Sequence, residues 1–244
     1  MKQVVESLNT RFQVRYSETN LYNRLKLSNL FLYMQDVAAK HAAQYHFGFD
    51  DLAVYDVFWV LSRVWIKINR LPETDDTINV ITWPRGTYKL FALRDFKIYD
   101  DNSTEIGYAT TSWLIVNKDS FRPQKPVLLD GLVYPDIEPA LPENAPKVNI
   151  SDDNVHSYHH TARFSDLDVN NHVNNSRYVD WLLDALTNNE NDFKECEFMI
   201  NFNSQISQGD MLDIYRHQNS DSEFYLEGKS ENRSVVTAYL NTHY

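Results

Sequence analysis

The stretch Arg163-Phe-Ser-Asp-Leu-Asp-Val-Asn-Asn-His-Val-Asn-Asn-Ser176 has a counterpart in Arg15-Tyr-Ser-Glu-Thr-Asn-Leu-Tyr-Asn-Arg-Leu-Lys-Leu-Ser28, and this pair decides the fold. At a constant offset of 163 − 15 = 148, Arg, Ser, Asn and Ser coincide at 15/163, 17/165, 23/171 and 28/176. Tyr16/Phe164, Glu18/Asp166, Leu21/Val169 and Leu25/Val173 are similar in kind, and Asp36 meets Asp184 further on. A short match arises easily by chance, so duplication needs the flanking pattern to agree as well.

It does agree. Phe12, Val14 and Tyr16 alternate like a short strand, and Leu30, Met34, Val37, Ala38, His41 and Tyr45 then recur at helical spacing, with Ser28 as the expected N-cap. Runs rich in Val, Ile, Trp, Tyr and Phe follow near 57–68, 77–83, 90–99 and 105–117. The second copy reads as a strand at 156–164, a helix from about Asn175 to Thr187, and strands near 195–206, 210–217, 223–230 and 234–242. A single helix of four or five turns is not stable alone in water, so each sheet has to curve around its helix. The expectation is an α+β chain: a tandem (double) hotdog, each half a curved, largely antiparallel sheet wrapped around one long helix.

Six of the eight prolines fall within residues 123–146. Proline lacks an N–H and fixes φ, which rules out a helix interior or central strand there. The expected division is an N-terminal unit over 1–120, a Pro-rich linker over 121–153, and a C-terminal unit over 154–244.

Composition excludes several functions. Lys and Arg number 23 against 34 Asp and Glu, a net charge of −11, and phosphate backbones repel such a chain. Cys196 is the lone cysteine, so no intrachain disulfide or thiolate metal cluster can form. The six glycines are too scattered for a phosphate-binding loop, a dinucleotide fingerprint or a nucleophile elbow. No apolar leader or run of 18 apolar residues is present, so the expectation is a cytoplasmic protein that binds neither membrane nor nucleic acid.

The chemistry concentrates in Asp166, Asp168, Asn170, Asn171, His172, Asn174 and Asn175, seven polar residues within ten positions. A turn followed by a helix cap accounts for many such clusters, since Asn and Asp favour both. The comparison of halves argues for more. Asp168 faces Asn20, Asn170 faces Tyr22 and His172 faces Arg24, so the second copy alone carries an acid and an imidazole.

Asp168-Val-Asn170-Asn-His172-Val-Asn174-Asn175 resembles the core motif of the acyl-acyl carrier protein thioesterases of fatty acid synthesis. RFQVRYSETN followed by LSNLFLYMQDVAAKHA resembles the opening of the bacterial members, and the expectation is the bacterial type without a plastid transit segment. The resemblance implies hydrolysis of the thioester between a fatty acyl chain and the phosphopantetheine arm of its carrier protein. It implies catalytic roles for Asp168, Asn170 and His172, a chain-length pocket in the first half, an acyl carrier protein as partner, and neither cofactor nor metal. A carboxylate or imidazole base accelerates attack of water by roughly 10²–10⁴. Asp168 is expected to be that base or a direct nucleophile, with Asn170 holding the water or acyl group and His172 orienting or assisting the acid. Free N–H groups near Asn174–Ser176, at the helix start, suit the developing oxyanion.

One departure stands out. Many members carry Glu, and plant members Glu-Cys, where Asn201-Phe-Asn-Ser-Gln205-Ile206 places Gln and Ile. Gln205 is retained as a candidate that orients water through its amide, and Cys196 is expected to be a buried core thiol. His156, His159 and His160 are set aside as metal ligands: His159 and His160 point to opposite strand faces, and His156 and His160, expected on one face, are about 13 Å apart at strand rise. Trp59, Trp65 and Trp113 are candidates for a tunnel lining or for plain core. Arg85, Lys89, Arg94 and Lys97, with Lys118, Arg122 and Lys125, read as a solvated strand face or as a docking patch for the acidic carrier. Alternative functions are acyl-CoA hydrolysis and a non-catalytic acyl-binding regulatory module; a hotdog hydratase fits less well, and a homodimer stays open.

Overall fold

Val57, Leu61, Val64, Ile66 and Ile68 are all buried along one extended segment, and that strand holds the middle of the sheet. The computed structural model describes residues 3–151 and 153–243, apart from the side chain at 243. The first half runs β1 (Gln3–Val4), β2 (Leu8–Gln13), α1 (Leu27–Gln44), α2 (Phe49–Ala53), β3 (Val57–Ile68), β4 (Thr77–Tyr88), β5 (Phe91–Asp100) and β6 (Glu105–Asn117). A connecting segment carries β7 (Pro123–Gln124) and β8 (Leu132–Val133). The second half runs β9 (Val155–Thr161), α3 (Asn175–Leu183), β10 (Glu195–Phe202), β11 (Met211–Gln218), β12 (Glu223–Ser230) and β13 (Arg233–His243).

The strand order makes the duplication visible. The sheet reads β2-β4-β5-β6-β3-β10-β13-β12-β11-β9, so the second half repeats the first in mirror sequence about the β3–β10 pair. That pair is antiparallel, with Cys196 opposite Ile68 and Asn201 opposite Arg63. Phe198 and Ile200 on β10 are fully buried, each worth about 1.5–3 kcal/mol of transfer free energy. One hydrophobic core runs through both halves, from Val14 to Leu240, and α1 packs on α3 above it.

Local details differ from the sequence expectation in ways that have physical causes. Lys26, not Ser28, occupies the N-cap of α1, without a side-chain cap; Ser28 is buried in the first turn. The helix α3 ends at Leu183 rather than Thr187, where Asn191 Nδ2 takes the carbonyls of Leu183 at 3.1 Å and Leu186 at 3.4 Å. His156 and His160 do not share a face, because a bulge between the His156 and Tyr158 pairings flips the alternation. His160 stacks on Trp181 at 4.2 Å, while His156 meets Tyr215 and Asp213.

The proline-rich segment is tied down. The Ala140 N–H donates to Asp95 Oδ2 (2.9 Å) and the Val148 N–H to Asn201 Oδ1 (2.7 Å), while Asn201 Nδ2 donates to the Pro146 carbonyl (3.0 Å). Its own Leu141, Ala145 and Val148 are buried.

Candidate active site

Residues 163–174 fold into a compact loop held by its own polar atoms. The Arg163 N–H donates to Asp166 Oδ2 at 2.8 Å, and the Asp168 N–H donates to the His172 carbonyl at 2.8 Å. Asp168 Oδ1 accepts from the Asn170 N–H (2.8 Å) and the His172 N–H (3.4 Å), an Asx-type turn that local spacing permits. Asn171 takes a left-handed conformation with φ 60°, which Asn tolerates better than most residues. Asn174 is the N-cap of α3, its Oδ1 accepting from the Ser176 N–H at 2.9 Å.

Six of the seven polar residues fall into two sets. Asp166, Asn171 and Asn174 are occupied with building the loop and capping the helix. The second oxygen of Asp168 has no hydrogen-bond partner among the described residues, and neither does the Asn170 side chain. His172 Nδ1 is buried without a partner. Asp168, Asn170 and His172 all line a cavity of about 1270 Å³, together with Gln205.

The first half builds the same loop. The Asn20 N–H donates to the Arg24 carbonyl at 2.8 Å, the Asn23 N–H to the Asn20 carbonyl at 3.0 Å, and Asn23 has φ 60°. Asn20 Oδ1 accepts from the Tyr22 N–H (3.0 Å) and the Arg24 N–H (3.1 Å), as Asp168 does in the second copy. An amide oxygen thus suffices for the turn, and a carboxylate is not needed to build it. The surroundings differ. Tyr22 Oη donates to the Asn188 carbonyl at 2.8 Å, and Arg24 bonds to Asp192 and to the Phe193 carbonyl, so these two side chains are tied to segment 188–193. Neither Asn20, Tyr22 nor Arg24 lines the cavity.

The cavity extends into the first half along α1 and the sheet. Trp59 and Trp113 line it, their rings edge-on at 6.5 Å. Trp65 instead donates to Glu197 Oε1 at 2.7 Å, outside the lining. Cys196 is 3% exposed, absent from the lining, and burial pushes its thiol pKa up.

The seven cations of the basic stretch do not form one patch. Arg94 points inward, its Nη1 3.0 Å from His41 Nδ1 and 3.2 Å from Thr82 Oγ1, and desolvation lowers its pKa to about 10. Arg85 lies 3.5 Å from the buried Asp95, and Lys97 pairs with Glu105 at 3.1 Å. Strand alternation sends neighbouring residues to opposite faces, so closeness in sequence does not pool their charge.

His41, on the apolar pattern of the first helix, is buried on the inner wall, and sequence reasoning missed two orphaned cavity hydroxyls, Tyr178 Oη and Ser204 Oγ. Tyr178 carried a signal: it sits three residues after Asn175 on the same helix face. Among the described residues no three His, Cys, Asp or Glu side chains converge as a metal site would require. No described helix is long and apolar enough to cross a membrane.

A sheet of two five-strand halves, each covering a helix, with a polar loop opening onto one shared apolar cavity, defines a double hotdog protein. The chain belongs to the acyl-ACP thioesterase family: residues 6–129 match its N-terminal domain and 149–242 its C-terminal domain. Among solved structures it is similar to an acyl-ACP thioesterase from Bacteroides thetaiotaomicron, with TM-score 0.87 and 24% identity over 97% of this chain and 98% of that one. A 12:0-ACP thioesterase from Umbellularia californica superposes with TM-score 0.83 at 19% identity, over 97% of each chain. Among curated proteins, an oleoyl-acyl carrier protein thioesterase of Arabidopsis thaliana is 26% identical over 95% of this chain and 68% of its own length. One from Coriandrum sativum is 30% identical over 74% of this chain and 54% of its own length. The chain spans about half the length of several of these plant relatives, 46% for a Cuphea viscosissima hydrolase.

Proposed function

We propose that the protein hydrolyses fatty acyl thioesters carried on an acyl carrier protein, releasing the free fatty acid. The observation that supports this most is the asymmetry between two loops of like geometry. The 168–172 copy lines a large cavity, whereas the 20–24 copy does not line it and has Tyr22 and Arg24 bonded to segment 188–193. In this reading the first half shapes the acyl pocket and the second half carries the chemistry.

Asp168 is the base. One of its oxygens is pinned by two backbone amides, which fixes the carboxylate, and the other is free to take a proton from water. Asn170 holds the water or the acyl group, and His172 contributes a neighbouring hydrogen bond. Gln205 lines the same cavity and orients water through its amide. As water attacks the thioester carbonyl, the oxyanion is met by the Asn175 N–H at the start of α3, where the helix dipole favours negative charge. The carrier arm leaves as its thiol, taking back the proton that Asp168 received.

Incubation with a panel of acyl-carrier thioesters, followed by mass measurement of free fatty acid, tests the activity. Steady-state rates on matched acyl-CoA substrates separate the carrier preference from the acyl-CoA alternative. A protein that retained the acyl thioester intact would be the binding module instead. Asp168→Asn and His172→Ala are each expected to lower kcat by on the order of 10² or more with unchanged melting temperature. Full activity in both variants would refute the site assignment.

A further inference from the structure

We propose that Tyr178 is a further catalytic residue: its hydroxyl and the Asn175 backbone N–H together hold the acyl carbonyl oxygen as it becomes an oxyanion. This rests on the thioester hydrolase reading above and adds a second donor to its site.

The first observation is an unsatisfied hydroxyl. Tyr178 is 2% exposed, lines the cavity that Asp168 lines, and its oxygen is buried without a hydrogen-bond partner among the described residues. Leaving such a group unpaired costs about 1–3 kcal/mol. The ring cannot swing away to find a partner, being packed against Trp181 at 5.4 Å and Phe202 at 5.9 Å between ring centres.

The second observation is where the hydroxyl lies along the helix. At the start of α3 the Asn174 N–H is taken by the Asp166 carbonyl and the Ser176 N–H by the Asn174 side chain, which leaves the Asn175 N–H free. Asn175 also lines the cavity. Residues 175 and 178 share a helix face, and a helical tyrosine leans toward the N-terminus, which carries its hydroxyl toward that amide. Two donors from one helical turn are thus presented to the cavity that Asp168 lines. Burial raises the Tyr178 pKa and the nearby Asp168 charge adds to this, while the Ile206 amide pulls the other way, so the phenol stays protonated and able to donate.

The step balances without any further reactant. Water oxygen bonds to the carbonyl carbon as its proton passes to Asp168, and the carbonyl π pair moves onto the oxygen facing Tyr178 and Asn175. Collapse of that oxyanion breaks the C–S bond, and the thiolate takes the proton from Asp168. The two donors keep their protons throughout and act only by hydrogen bonding, most strongly when the charge is greatest.

Tyr178→Phe in the full chain is the test, because it removes one oxygen and keeps the ring packing. The expected result is a fall in kcat of about 10²–10³ on an acyl-carrier thioester. The dissociation constant of a non-hydrolysable acyl thioether should stay within about twofold, since the donor acts in the transition state. The melting temperature should stay close to the parent's, because the lost O–H donates to no described protein group. A kcat within about threefold of the parent would overturn the proposal, as would a lower melting temperature and weaker thioether binding in step with the loss of rate. A parent protein inert toward every acyl thioester would overturn the hydrolase reading itself, an outcome distinguishable because it appears before any variant is made.

Discussion

His41 lies on the cavity wall, 1% exposed, with its Nδ1 accepting from Arg94 Nη1 at 3.0 Å. Burial lowers its pKa from 6.5 to about 4; the Arg94 charge helps, and the Glu6 carbonyl offsets only part of the effect. The imidazole is therefore neutral in the folded protein through most of the acidic range, whereas in the unfolded chain it takes up a proton near pH 6.5. The folded pKa lies below the unfolded one, so protonation favours unfolding. Above about pH 6.5 His41 imposes no linkage penalty, and stability is lost as the pH falls from there toward 4. A drop from 6.5 to about 4, at about 1.4 kcal/mol per pH unit, amounts to on the order of 3 kcal/mol. His41→Phe keeps the bulk and removes the proton site. It destabilises by a constant amount wherever it repacks poorly, but it also removes this slope. Urea denaturation of both proteins at steps between pH 7.5 and 4 gives the difference in unfolding free energy. The parent's advantage should shrink, or reverse, by about 3 kcal/mol across that range. A difference that stays constant would refute the argument, since it would mean His41 titrates alike in the folded and unfolded states.

Two other expectations test the frame around the site. Arg24→Met removes the bonds to Asp192 and the Phe193 carbonyl, and because Asp192 is half-exposed the cost should be about 1–2 kcal/mol in denaturant melts, with kcat unchanged. A stability equal to the parent's would show that segment 188–193 is held by other contacts. Cys196→Ser should leave turnover intact, and the native thiol should react with a disulfide reagent far more slowly than the unfolded one, since it is buried and its pKa is raised. Lost turnover in a folded Ser variant would restore a thiol mechanism.

Much of this protein was legible in sequence because the informative features are local. The 163–176 loop makes its hydrogen bonds within a few residues, so the same spacing at 15–28 predicts the same turn, and both turns form. Alternating apolar runs likewise fixed the strands to within a few residues. Ser28 was misread because serine suits an N-cap in isolation, whereas Lys26 takes the cap position and Ser28 is buried within the first turn. The basic stretch was misread because charge counted along a strand ignores the face each side chain takes, and Arg94 faces inward to His41.

By itself, then, the sequence determined the duplicated element order, the two loops and the acid and imidazole that only the later copy carries. The tertiary structure decided what each loop meets: a large cavity for 168–172, and bonds from Tyr22 and Arg24 to segment 188–193 for 20–24. It also decided which polar atoms are left unpaired, Tyr178 Oη among them. A turn is closed by hydrogen bonds between near neighbours, but a cavity is bounded by residues more than a hundred positions apart. Their meeting depends on the β3–β10 pairing that joins the halves, which no local pattern encodes.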